Sequence, residues 1–133
     1  MPQLQNLVLT DRATPTPVNH TYTPINIDPN QVGVVAETGA VPVGEPKFSI
    51  QNKRVNGRFK VTLKLSVPVV QTQTISGIST PVVVRTSYVD ATFTFDATSS
   101  EQERKDVVGL FESALAPSKV LVNDTLVKLQ GIY

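Results

Sequence analysis

The stretch "KFSIQNKRVNGRFKVTLKLSV", Lys47 to Val67, decides the fold because apolar and polar residues alternate along it on either side of Asn56-Gly57. A β-strand turns successive side chains to opposite faces, so this alternation predicts strands with one apolar and one polar face. Asn-Gly is the pair that tight hairpin turns favour. The second strand should place on its core side Phe59, Val61, Leu63, Leu65 and Val67, and on its other side Arg58, Lys60, Thr62, Lys64 and Ser66.

Further strands are predicted on both sides of this hairpin. Residues 4–11 and 20–27 form an N-terminal hairpin around Pro15 and Pro17, and residues 32–36 form a short strand. Pro68 is expected to end the strand that begins at Arg58, since proline gives no N–H to a ladder. An uncharged loop should then cover residues 69–80 with Gly77 at its tip, before the longest strand, residues 82–95.

After Ala97 the spacing of the apolar residues changes from the period of a strand to the period of a helix. Ser100-x-x-Glu103 is a capping box, and the apolar residues that follow recur at helical spacing until Pro117. A second helix is predicted from Val122, Leu126 and Leu129, with Gly131 as its C-cap. Strands followed by helices favour an α+β domain with an antiparallel sheet, and 133 residues suit a single domain. Its last long strand would leave an open edge, which a partner chain could cover.

The charges are segregated along the chain although the net charge is only +1. Residues 47–85 hold seven cations and no carboxylate, whereas the other five cations accompany all eleven carboxylates. Such segregation is typical of a polyanion-binding face on an otherwise acidic protein, and it is also compatible with a solvated sheet face.

The sequence gives little support for a catalytic site or a metal site. The chain has no cysteine and one histidine, His20, which we interpret as a loop residue without function. Asp90 and Asp96 are six residues apart on one strand, about 20 Å, which is too far for a shared acid-base site. No apolar stretch reaches the length of about 18 residues that a membrane span needs. We therefore predict no enzyme activity, no cofactor, no metal, no small-molecule substrate and no membrane.

The polar sheet face remains as the candidate site. Three neighbouring strands would bring together the rows Lys47, Ser49, Gln51 and Lys53, then Lys60, Thr62, Lys64 and Ser66, then Tyr88, Asp90 and Thr92. Lysines neutralise phosphates, tyrosine stacks on an unpaired base, and carboxylates and hydroxyls hydrogen-bond to base edges. The alternative is a β-sheet binding module that recognises an acidic polysaccharide or another polyanion through the same basic face.

Several segments resemble the coat proteins of single-stranded RNA bacteriophages, the leviviruses. The resemblance lies in "NGRFKVTLKLSVP", "TQTISGISTPVVVRTSYVDATFTF" and the "GIY" ending, and it runs over nearly the whole chain in the same order. It implies a five-stranded antiparallel sheet preceded by an N-terminal hairpin and followed by two helices that clasp a second subunit, giving a ten-stranded sheet in an intertwined homodimer. The implied segments are about 1–28 for the hairpin, 30–97 for the sheet and 99–130 for the helices.

The resemblance also implies an icosahedral shell around the viral RNA, with residues 69–80 as a switch loop, and a virion location after assembly in the bacterial cytoplasm. Members of the family bind an RNA hairpin at the replicase start and repress its translation. Carried over, the adenine-pocket residues here are Val32, Ser49, Gln51, Thr62 and Lys64. Lys53 and Lys60 would contact the RNA backbone, Tyr88 would stack on a loop base, and Asp90 would help to read bases. The chain departs from some members in its short "KRVNGR" turn and in a loop without cysteines.

Overall fold

The computed structural model describes residues 2–38 and 44–133, and it has the predicted order of strands followed by helices. Six strands lie in one sheet in chain order, and the two helices follow. The elements are β1 (Leu7–Thr10), β2 (Asn19–Ile27), β3 (Gly33–Ala36), β4 (Lys47–Val55), β5 (Arg58–Ile75), β6 (Ile78–Asp96), α1 (Glu101–Ala114) and α2 (Val120–Leu126). The α+β class is confirmed, and the sheet has six strands because the N-terminal hairpin joins it through β2 and β3.

The β4–β5 hairpin forms where the alternation predicts it. Asn56 and Gly57 adopt φ angles of 51° and 73°, the left-handed pair that a two-residue turn needs. The register runs without a shift from Val55 opposite Arg58 to Lys47 opposite Ser66. This turn fixes which side chains of the two strands lie side by side.

The predicted strand end at Pro68 is wrong, and so is the loop over residues 69–80. β5 continues through Pro68 to Ile75, and β6 begins at Ile78, so this segment is a β-ribbon. Its two-residue turn is Ser76-Gly77, with φ angles of 54° and 80°, which confirms Gly77 at the tip. Pro68 is tolerated in β5 because the pairing with β4 ends at Ser66, which stands opposite Lys47. On that side Pro68 lies beyond the paired residues, so its missing N–H removes no hydrogen bond.

The N-terminal hairpin pairs β1 with β2, from Leu7 opposite Tyr22 to Thr10 opposite Asn19. β2 then pairs with β3 across an irregularity between Pro24 and Asn26, at a residue that lacks an N–H donor. His20 lies on β2 opposite Leu9, which agrees with the strand predicted over residues 20–27, whereas its interpretation as a loop residue is wrong. Strand pairing already begins at Asn19, after the proline-rich turn has ended.

The chain divides into two compact units, Met1–Thr94 and Phe95–Tyr133. In the second unit, Ser100 caps α1 as predicted, because its hydroxyl accepts a hydrogen bond from the Glu103 N–H at 3.2 Å. α2 ends at Leu126, earlier than the predicted C-cap at Gly131, and Leu129 beyond it has a left-handed φ of 58°. Among the described residues, neither helix has the length and hydropathy of a membrane span.

The buried core of the sheet unit is small. Within the described ranges, the only buried hydrophobic side chains are Tyr22, Val35 and Ala36. On the apolar side of the β4–β5 hairpin, Ile50 is 45% exposed and Phe59 is 36% exposed. The apolar side of this hairpin is therefore partly open in the single chain.

Candidate nucleic-acid interface

Six of the predicted site residues form three cross-strand pairs. Residues directly opposite each other on antiparallel strands share a face, and their Cβ atoms lie about 5 Å apart. The register pairs Ser49 with Lys64, Gln51 with Thr62, and Lys53 with Lys60. The structure therefore brings these six side chains together in two neighbouring rows. We call this side of the hairpin, from Lys47 to Ser66, the β4–β5 polar face.

The polar face combines half-buried groups that can form hydrogen bonds with exposed cations. Ser49, Gln51 and Thr62 are half-buried, whereas the lysines are exposed. Lys53 and Lys60 stand directly opposite each other, an arrangement that destabilises a sheet unless an anion lies between the two charges. This pair of like charges lies near the hairpin turn, with Arg58 on one side of it and Lys64 on the other.

Five cations lie on this face by register and alternation, namely Lys47, Lys53, Arg58, Lys60 and Lys64. In the part of the chain that the structure describes, none of their side chains forms an ion pair with a carboxylate. Arg54 belongs to the other face, because it stands opposite Phe59 and its guanidinium lies 5.4 Å from the centre of that ring. The charge of the polar face is thus uncompensated within the described residues.

Val32 lies beside the polar face at the end of the short strand β3. Val34 stands opposite Ser49, so β3 continues the same surface. Beyond the strand, Val32 lines a concavity of about 590 Å³ together with Gln51 and Lys53. The predicted grouping of Val32 with these two residues is present in the structure.

Tyr88 and Asp90 lie on β6, whose placement follows from a second concavity. This concavity, of about 480 Å³, is lined by Arg58, Lys60 and Thr94 among others, so Thr94 faces the same side as the two cations. Alternation from Thr94 back along the strand puts Asp90 and Tyr88 on that side. At the alternate positions Ala91, Phe93 and Phe95 are half-buried, as expected for the opposite face, whereas Val89 is 55% exposed. Tyr88 is 78% exposed, which leaves its ring free for stacking.

A turn at residues 28–32 forms one wall of the larger concavity, and the sequence analysis missed it. The Asp28 carboxylate accepts hydrogen bonds from the backbone N–H groups of Asn30 at 2.8 Å and Val32 at 3.0 Å. The Asn30 carbonyl in turn accepts a hydrogen bond from the side-chain amide of Gln51 at 2.8 Å. An Asp-Pro-Asn sequence signals such a turn, but no local pattern connects it to a residue 21 positions away.

A second missed cluster lies around His20, away from the polar face. Its Nε2–H donates to Asp11 at 2.6 Å, and its Nδ1–H donates to Glu37 at 2.9 Å. Both ring nitrogens can donate only in the imidazolium form. The hydrogen bond to Asp11, followed by that to Glu37, raises the pKa of His20. The same hydrogen bond, with the N–H groups of Val18 and Ala13, lowers the pKa of Asp11 to about 2.

The described residues include no group of three or more histidines and carboxylates placed to hold a metal ion. What the polar face offers is a row of point charges next to hydroxyl and amide groups, with an exposed aromatic ring on a neighbouring strand. Groups of these kinds are able to bind phosphates, hydrogen-bond to base edges and stack on bases.

Comparison with known proteins gives one consistent result. A family model described as "Levivirus coat protein" matches residues 2–133. The chain is 55% identical over 132 residues to the capsid protein of Pseudomonas phage PRR1, covering 98% of this chain and 99% of that protein. It is 33% identical over 137 residues to the capsid protein of Qbeta virus strain MX1, with complete coverage of both.

Solved structures agree with the sequence comparisons. The virus-like particle of bacteriophage NT-214 has a subunit with a TM-score of 0.84 and 26% identity, covering 99% of this chain and 100% of that one. The similarity therefore extends over both the sheet unit and the helical unit.

Proposed function

The chain belongs to the levivirus coat protein family, and from that premise we propose that it assembles into an icosahedral shell around viral RNA and binds an RNA hairpin through the β4–β5 polar face. It is a structural capsid protein and not an enzyme, like its relatives. The hairpin would lie at the replicase start, so that binding represses translation. Assembly would take place in the bacterial cytoplasm, and the final location is the virion.

The RNA-binding proposal rests on the Lys53–Lys60 pair and on the neighbouring cations of the polar face, none of which forms an ion pair with a carboxylate in the described structure. Two ammonium groups held opposite each other repel, and a phosphate between them removes that repulsion. Single-stranded RNA provides such phosphates together with unpaired bases. Lys53 and Lys60 would hold the backbone, and the half-buried groups beside them would contact bases.

The remaining residues take the roles that the family resemblance implies, and their place on the face is compatible with these roles. The adenine pockets would be formed by Val32, Ser49, Gln51, Thr62 and Lys64. Tyr88 would stack on a loop base, since its ring is exposed, and Asp90 would hydrogen-bond to a base next to it. Single-stranded loops are the usual targets of sequence-specific RNA recognition, because their bases are accessible.

The open apolar surface supports a homodimer as the building block. β6 is the last strand in the sheet order and is 19 residues long, and an exposed edge of that length invites pairing with another chain. The sheet unit buries only Tyr22, Val35 and Ala36 among its described hydrophobic residues. We propose that residues 1–133 act as one coat protein domain, in which the helices at residues 99–130 clasp the partner and the two sheets join into ten or more strands.

The β-ribbon at residues 69–80 would serve as the switch segment of the shell. It carries no charge, and Ile75 and Ile78 at its tip are 67% and 68% exposed. Several copies can therefore cluster around a symmetry axis without repulsion and bury these side chains against each other.

The proposal is tested by selection of stem-loops from a random RNA pool, followed by competition with heparin as an acidic polysaccharide. We expect one stem-loop to be enriched and to resist heparin better than unrelated RNA does. Lys64→Ala and Tyr88→Ala should weaken this binding and should also relieve repression of a reporter that carries the stem-loop. Equal binding of all RNAs and of heparin would contradict hairpin recognition and would leave only general polyanion binding.

A further inference from the structure

His20 joins three segments of the sheet unit through its ring. Its Nε2–H donates to Oδ2 of Asp11, just after β1, at 2.6 Å. Its Nδ1–H donates to both carboxylate oxygens of Glu37, just after β3, at 2.9 and 3.0 Å. His20 itself lies on β2, between these two strands in the sheet order. One imidazolium ring therefore ties the N-terminal hairpin to the end of β3.

The Asp11 carboxylate is fixed by the turn of the N-terminal hairpin. Its Oδ1 accepts hydrogen bonds from the backbone N–H groups of Ala13 at 2.9 Å and Val18 at 2.8 Å. The Asp11 N–H in turn donates to the Val18 carbonyl at 3.0 Å. Because none of these bonds involves the His20 ring, they hold Asp11 in its place whether the ring is charged or neutral.

The Glu37 carboxylate lacks this backbone support. Within residues 2–38 and 44–133, its side chain forms hydrogen bonds only with His20. The side chain is 33% exposed, so it can turn towards water by rotating about its own bonds. Its position against the hairpin therefore depends on the proton at Nδ1 of His20.

The charged groups that act on His20 in the described part of the chain are Asp11 and Glu37. The hydrogen bond to Asp11, followed by that to Glu37, raises the pKa of the ring above its ordinary value of 6.5. Tyr22 lies two residues further along β2 and on the same side of the strand. Burial, followed by the charge of Glu37, raises the pKa of Tyr22, so this group stays neutral while the histidine titrates.

We propose that the His20 ring is a pH-sensitive latch, which holds the end of β3 to the N-terminal hairpin when charged and releases Glu37 when Nδ1 loses its proton. A neutral imidazole donates through one nitrogen and accepts through the other. The remaining proton stays at Nε2, because Asp11 is held in place by the turn. The lone pair of Nδ1 then faces the Glu37 carboxylate, and two acceptors in contact repel each other.

The release of Glu37 acts on strand ends that lie next to the buried core. Thr23 pairs with Ala36, the residue before Glu37, and the Glu37 N–H donates to the Pro46 carbonyl at 3.0 Å. Ala36 is completely buried. We expect the backbone amides of residues 19–24 and 33–37 to open more often once the latch is released. The latch lies away from the polar face and does not depend on the proposed RNA binding.

Hydrogen–deuterium exchange measured by mass spectrometry tests the latch on the full-length protein as it is expressed. Exchange is followed at about pH 5.5 and about pH 9, with labelling times adjusted to the intrinsic exchange rate at each pH. Protection of residues 19–24 and 33–37 should fall by about 3- to 10-fold at the higher pH, as expected for one partly exposed hydrogen bond to a charged group. Protection of residues 58–66 on β5 should stay unchanged.

Two carboxylate variants isolate the contribution of Glu37. Glu37→Gln provides an oxygen that accepts from the charged ring and an N–H that donates to the neutral Nδ1, so its protection should not fall as the pH rises. Glu45→Gln is the matched control, since it removes the same charge from a residue that does not act on His20. It should show the same fall as the wild type.

Nuclear magnetic resonance on the wild type identifies the nitrogen that loses its proton. His20 is the only histidine of the chain, so an isotope label on histidine nitrogen reports this ring alone. We expect both nitrogens to be protonated at about pH 5.5, and only Nε2 at about pH 9.

Three results would overturn the latch. The first is equal protection of residues 19–24 and 33–37 at both pH values in the wild type. The second is a fall in Glu37→Gln as large as that in the wild type. The third is a neutral ring that keeps its proton at Nδ1, because Asp11 would then lose its bond in place of Glu37. This last measurement needs no variant, so it decides even if Glu37→Gln does not fold.

Discussion

Replacing Lys60 by glutamine should make RNA binding measurably less sensitive to salt. A protein that neutralises phosphates releases counterions, and on single strands each contact contributes about −0.7 to the slope of log affinity against log salt. Five cations occupy the polar face, Lys47, Lys53, Arg58, Lys60 and Lys64. If all five neutralise a phosphate, the slope is about −3.5, and affinity falls about 130-fold between 50 and 200 mM salt. With Lys60→Gln the slope becomes about −2.8, and the fall is about 50-fold.

The assay is fluorescence anisotropy of a labelled twelve-nucleotide RNA at four or more salt concentrations. Lys119→Gln is the matched control, since it removes the same charge from an exposed position just before α2, outside the β4–β5 polar face. Its slope should equal that of the wild type. The reasoning is refuted if Lys60→Gln leaves the slope unchanged, or if Lys119→Gln lowers it equally.

Three further predictions concern other parts of the chain. The raised pKa of His20 means that its ion pairs stabilise the fold below its ordinary pKa of 6.5 and that this stabilisation is lost as the pH rises through the raised value. The Asp11 pKa, lowered from 3.8 to about 2, adds stabilisation above pH 3.8 that is lost as the pH falls through about 2. Melting temperature against pH should therefore show both losses in the wild type and a flatter profile in His20→Gln. Ser100→Ala should lower the free energy of unfolding by about 1 kcal/mol in a denaturant titration, through loss of the α1 cap, whereas Ser100→Thr should largely retain it. Tyr88→Ala should weaken RNA binding by about 1–3 kcal/mol, and Tyr88→Phe should keep most of it, because stacking needs only the ring.

Local sequence signals were sufficient for the elements that depend on local structure. The Asn56-Gly57 turn sets the β4–β5 register by itself, and Ser100 with Glu103 marks the start of α1. The prediction failed at Pro68, because the cost of a missing N–H depends on how far the neighbouring strand reaches. The residues around Pro68 do not indicate where β4 begins.

The same distinction applies to the candidate site. The two rows on β4 and β5 follow from alternation plus one turn, so the sequence predicts which six side chains share a face. The orientation of Gln51 depends on Asn30, and the charge state of His20 depends on Asp11 and Glu37, all of them distant in sequence. Contacts of this kind arise only when strands are brought together, and periodicity does not encode them.

Electron microscopy of the protein expressed in bacteria tests the central statement most directly, that this chain builds an RNA-containing shell. We predict closed particles of uniform size whose ultraviolet absorbance shows enclosed nucleic acid, with dimers as the smallest species after mild disassembly. Soluble monomers in light scattering, with no particles in the expressing cells, would contradict the account.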